Sequence, residues 1–119
     1  MATWATIQQI MAGFPETTEG TSYGTPAFRI RKAFFVRLRD EGDALVVKAG
    51  QHLRAALLQD GDPPFHTTPH YDGPNSGLVL IRLAAISDDE LRDVLTDAWL
   101  VNAPPKLAAQ WESRTSPLR

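Results

Sequence analysis

Cysteine is absent from the 119 residues, which excludes a disulfide framework, a thiolate metal site and a thiol nucleophile together. Long apolar runs are missing as well, since nowhere do about 18 consecutive apolar residues occur, the length a spanning helix needs. The first residues, MATWATIQQI, show no basic region followed by an apolar stretch and so do not read as a targeting segment. The expectation is a soluble, cytoplasmic chain that makes no use of a membrane. Neither sign of charge dominates: 12 Lys and Arg stand against 14 Asp and Glu, a formal net charge of -2. A protein so balanced does not coat polyanions over its whole surface, and any nucleic-acid site must be local. There is no glycine loop with a phosphate-binding Lys and no dinucleotide fingerprint, so the residues are read as those of no enzyme and no cofactor-dependent protein.

What is present is material for one core. At 43% hydrophobic, a chain of this size buries roughly two-thirds of its unfolded surface. The expected layout is a single α+β domain over residues 1–112 and a loose tail over 113–119. A first helix begins near Thr3, with Trp4, Ile7, Ile10, Met11 and Phe14 as its apolar stripe. The turn-rich segment ETTEGTSYGTP, residues 16–26, reads as a loop leading into the sheet. Alternation then starts: Phe28 and Ile30 inward against Arg29 and Arg31, and Phe34, Val36 and Leu38 inward against Phe35, Arg37 and Arg39. After the turn DEGD, Leu45 and Val47 point one way and Val46 and Lys48 the other, giving a three-stranded meander.

A second helix is expected over residues 50–60, closed by Gly61 and the pair Pro63-Pro64. Phe65 to Thr68 forms a short strand beside Leu78 to Leu83, whose apolar run, broken only by Arg82, suits a central strand covered on both faces. Between them Thr68, Pro69, His70 and Tyr71 sit in a loop rich in Pro and Gly. The last helix has the clearest start: Ser87 through Glu90 forms a capping box flanked by Ile86 and Leu91. Leu91, Val94, Leu95, Ala98 and Val101 form its buried stripe, and Pro104-Pro105 ends it before a short turn over residues 106–111.

Three separated blocks, EGTSYGTPAFRIRKAFFVRL, TPHYDGPNSGLVLIRL and DAWLVNAPPKL, resemble the MmcQ/YjbR family of small bacterial proteins, and the likeness runs from about Trp4 to Leu107. The resemblance implies a curved antiparallel sheet of about five strands with helices packed on one face, frataxin-like in shape and described as a double wing. It also implies a DNA-binding label, given to the family by analogy of shape. Carried over residue by residue, it marks Ser22, Tyr23, Gly24, Thr25 and Pro26, then Thr68, Pro69, His70 and Tyr71, then Trp99 and Lys106. The chain departs from the pattern at Arg31-Lys32-Ala33, where relatives usually have Gly, and at the extra Pro104.

Two candidate sites follow. On the outward sheet face Arg29, Arg31, Lys32, Arg37, Arg39, Lys48 and Arg82 gather around Phe35 and Val46, an arrangement suited to phosphate contacts and base stacking on DNA or RNA. The competing reading is a solvated face, with Asp40, Glu41 and Asp43 neutralising part of it. The second candidate is a pocket of Tyr23, Thr25, His70, Tyr71, Trp99 and Lys106, suited to a small anion or to a protein partner, a second copy in a homodimer included. His66, His70 and Asp72 are too few to complete a tetrahedral metal site. His70 could move a proton, but no nucleophile or orienting carboxylate is assigned to it.

Overall fold

A computed structural model describes residues 2–59, 64–73 and 76–115, and shows an α+β fold: a six-stranded antiparallel sheet in the order β1-β2-β3-β4-β6-β5. The strands are β1 (Thr17–Ser22), β2 (Thr25–Ile30), β3 (Ala33–Leu38), β4 (Ala44–Lys48), β5 (Phe65–His66) and β6 (Leu78–Arg82). Four helices, α1 (Trp4–Met11), α2 (Gly50–Leu58), α3 (Asp88–Asn102) and α4 (Pro105–Thr115), bury their apolar sides on one face of the sheet.

The helix signals hold. Thr3 caps α1 and exchanges hydrogen bonds with Thr6, satisfying two backbone donors that a helix start leaves open. Ser87 accepts from the Glu90 amide at the start of α3, and Ile86 and Leu91 are both buried beside it. The expected stop at Gly61 and Pro63 lies outside the described residues. Along α3 the stripe shifts by a fraction of a turn: Val101 is 55% exposed, and Trp99 takes the buried place.

The sheet departs from expectation in three places. Residues 17–22 form an edge strand rather than a loop, because Tyr23 and Gly24 both take positive φ (52° and 80°) and close a two-residue hairpin that pairs Ser22 with Thr25. That turn twists in the same sense as the strands it joins. Secondly, the register between β2 and β3 slips at Phe28 and Arg29, so Phe28 pairs with Val36 but Arg29 with Phe34. Phe35 is the extra residue, and alternation reverses there. Phe35 and Val36 are both buried on the helix side, whereas Phe34 faces the other side. Thirdly, the expected turn at Lys106 to Trp111 is helical, with Pro105 tolerated at the first position and Trp111 packed on Phe14 and Trp99. Residues 113–115, assigned to the tail, continue α4, and residues 116–119 lie outside the described residues.

β6 runs between β4 and β5, and its Val79, Leu80 and Ile81 are fully buried. On its second face Tyr71, from the segment 67–73, packs with Phe34 of β3 and Leu78 of β6 itself on Ala44, Val46 and Leu80. Arg54 of α2 pins that segment to β6, donating to the Leu78 carbonyl (2.6 Å), Thr67 Oγ1 (3.3 Å) and Asp72 Oδ1 (2.8 Å). Just before β6 the Gly77 carbonyl accepts from the amides of Ala49 and Gly50, an approach so close that a Cβ on Gly77 would stand 3.3 Å from the Gly50 Cα.

Candidate functional site

The face of the sheet away from the helices carries a half-open cleft of about 1030 Å³. Its floor is Phe34, Val46 and Leu78; one wall is the hairpin tip from Thr21 to Tyr23; the other is His70 and Tyr71 from the 3-10 turn Pro69–Tyr71. Arg29, Lys32, Arg37 and Asp40 complete the lining. The charges are graded along β3. Lys32 and Arg29 stand at the β2–β3 turn end, and Arg37 stands near the other end, 3.9 Å from Asp40 just beyond it.

Arg37 ties the walls together. Its guanidinium donates to Tyr71 OH at 2.8 Å, to Thr25 Oγ1 at 3.2 Å and to the Leu38 carbonyl at 3.4 Å, and its Cζ lies 5.4 Å from the centre of the Tyr23 ring. Asp40 is farther off, at 3.9 Å and largely exposed, so the ion pair is a weak restraint beside those bonds. Because the Tyr71 oxygen accepts from Arg37, its own proton is left to donate into the cleft. His70 meets the Tyr71 ring edge-on, centroids 4.7 Å apart.

The rim cations are freer. Arg29 donates to the Thr21 carbonyl at 3.2 Å, and among the described residues neither it nor Lys32 has a carboxylate partner. Tyr23 is 89% exposed, on a backbone that side-chain-bearing residues adopt at a cost of about 1 kcal/mol or more. Lys48 is exposed at the end of β4, paired with Leu78, and lies outside the cleft lining.

The two candidate sites thus become one, and each loses members. Arg29, Lys32 and Arg37 from the basic set meet Tyr23, Thr25, His70 and Tyr71 from the pocket set. Phe35 is in the core with no exposure, so it is not a stacking surface. Trp99 is fully buried on the helix side, stacked on Phe14 at 5.6 Å, and among the described residues its indole N–H has no acceptor; it belongs to the core on the face opposite Tyr71. Lys106 lies on α4, across the sheet from the cleft. Arg31 turns back to Glu16, with Nε 2.6 Å from Oε1, and that bond holds the Glu16 carboxyl below its usual range. Arg39 pairs with Glu41 at 3.0 Å.

Arg82 is exposed on the same face by register but stands with His66 near the β5 side. Burial, and then the charges of Arg82 and Arg39, push the His66 imidazole below its ordinary value despite Asp43. Among the described residues no three His, Asp or Glu side chains converge as metal ligands, and no helix is long and apolar enough to cross a membrane. Arg54 was not foreseen as part of this site. Its position on the α2 helix gives no sign that it reaches back to the 67–73 segment.

A family model described as YjbR matches residues 12–101. The chain belongs to the YjbR family. Two relatives, one from Mycobacterium tuberculosis and one from Mycobacterium bovis, are each 31% identical over 122 residues, covering 90% of this chain and 93% of theirs, and both are described only as uncharacterized. No solved structure matches. The matched span includes all the cleft lining, from Thr21 to Leu78, so the site lies within the part that defines this YjbR protein's family.

Proposed function

We propose that this YjbR protein binds nucleic acid, holding phosphates with Arg29, Lys32 and Lys48 at one end of its open sheet face, and that it performs no chemical step. The observation that supports the reading is that Arg29 and Lys32, which among the described residues have no carboxylate partner, line one cleft with the exposed ring of Tyr23. Surface cations that serve only solubility are commonly paired or scattered; Arg31 and Arg39 behave in that way and are left out of the site. The double-wing resemblance points in the same direction. Binding led by phosphates weakens steeply with salt, because each neutralised phosphate releases condensed counterions.

The test is a salt titration of labelled oligonucleotide binding. Ala at Arg29, Lys32 or Lys48 should each lower the slope of log affinity against log salt by about one. Ala at Arg31 or Arg39 should leave it unchanged. Absence of salt-dependent binding to any nucleic acid refutes the proposal. One observation favours a second reading, a small-anion site: Arg37 and the Tyr71 hydroxyl form a pre-arranged pair of donors inside the cleft. Chemical shifts on adding a mononucleotide or a simple carboxylate, confined to Tyr71 and Arg37, would favour it.

A further inference from the structure

We infer that the nucleic acid taken by this face is a single strand, with one unstacked base lodged in the cleft between Tyr23 and the His70–Tyr71 wall. The inference rests on the phosphate-binding reading above and makes it specific. A duplex shows its surroundings a rod of phosphates and base edges, with the aromatic faces of its bases stacked away. This cleft is built to meet such a face. Its floor of Phe34, Val46 and Leu78 is apolar, and the ring of Tyr23 stands in solvent with only the Arg37 guanidinium against it. Flat apolar lining between rings, with cations at the rim, is the chemistry by which single strands are held: every base has a face to stack, and the backbone follows the charge.

Size and polarity agree. A cleft of about 1030 Å³ holds one nucleotide and parts of its neighbours, since sites for small molecules run from roughly 300 to 1,000 Å³. Arg29 and Lys32 at one end attract phosphate, and Asp40 at the other repels it, so the backbone is drawn to the Arg29–Lys32 end of the cleft. Toward the Asp40 end, Arg37 and the Tyr71 hydroxyl, which accepts from Arg37 and so keeps its own proton to donate, are donors that can meet the carbonyl edge of the base. Arg37 is held by protein partners in advance, so little rotamer freedom is lost when the base arrives.

The experiment compares a fluorescent oligothymidylate with a duplex of equal length, at one salt concentration and across a salt series, for the parent protein, Tyr23→Ala, Tyr23→Phe and Lys32→Ala. The single strand should bind at least tenfold tighter than the duplex. Tyr23→Ala should weaken it by roughly tenfold, as the loss of one stacked base does, with the salt slope unchanged. Tyr23→Phe should restore binding, and Lys32→Ala should lower the slope by about one. Equal or tighter binding of the duplex, or a neutral Tyr23→Ala with salt-dependent binding intact, overturns the base pocket and leaves the phosphate reading standing. Salt-independent or absent binding of both probes overturns both.

Discussion

Replacing Phe35 tests the slipped register on which the whole placement of the site depends. Phe35 has no exposed surface and sits among Val36, Leu45 and the helix residues of the main core. Burial of a Phe side chain is worth about 1.5–3 kcal/mol in transfer terms, and the cavity left by truncation brings Phe35→Ala to about 3–5 kcal/mol. Had strict alternation continued from Phe34, Phe35 would lie outward and the same change would cost no more than about 0.5 kcal/mol. In urea, with a slope of about 1–3 kcal/mol per molar, the deeper value moves the midpoint down by 1 M or more. Since the loss is comparable with the full stability of many domains, about 5–15 kcal/mol, Phe35→Leu provides a folded companion, with an expected cost under about 1.5 kcal/mol. Phe34→Ala, on the half-exposed cleft floor, should cost less than Phe35→Ala. A Phe35→Ala loss below about 1 kcal/mol at unchanged slope, or a larger loss at Phe34, refutes the bulge.

Other substitutions probe other joints. Arg37→Lys removes a planar fork that serves Tyr71, Thr25 and Leu38 at once, and should cost about 1–3 kcal/mol in denaturant melts while also weakening oligonucleotide binding. Arg54→Ala removes the bonds to Thr67 and Asp72 and the one to the Leu78 carbonyl of β6, and limited proteolysis should cut within residues 67–73 several times faster than in the parent. His66 has a folded-state value lowered from 6.5, so the unfolded chain takes up a proton more readily; stability should be full above about pH 6.5 and fall as pH drops below it, and His66→Gln should flatten that dependence in melts at several pH values. Arg31→Gly removes a backbone at φ 55° that costs about 1 kcal/mol and an exposed ion pair worth about 0–1 kcal/mol, so thermal melts should show it neutral or slightly stabilised.

How much of this was legible differs from element to element. The helix starts at Thr3 and Ser87 were readable because capping is local chemistry, written in residues three apart. The buried run at Leu78 was readable for the same reason: apolar on both sides means covered on both sides. The bulge was not, because FF followed by alternating residues fits either parity, and only pairing with β2 decides which Phe turns inward. The merging of two sites was equally out of reach. Arg37 and Tyr71 are 34 residues apart, and nothing near either one in sequence shows that the 67–73 segment folds over Val46. Trp99 and Lys106 were carried into the pocket by resemblance, and the helices that hold them lie on the opposite face.

The sheet is anchored unevenly, and the cleft inherits the difference. One wall stands on β4 and β6, sealed above and below; the other is the tip of β1, an edge ribbon of small polar residues paired on one side only. Amide hydrogens at the tip of that ribbon should therefore exchange by local opening, and those of β6 only on global unfolding, so that the two walls of one cleft are expected to differ in lifetime.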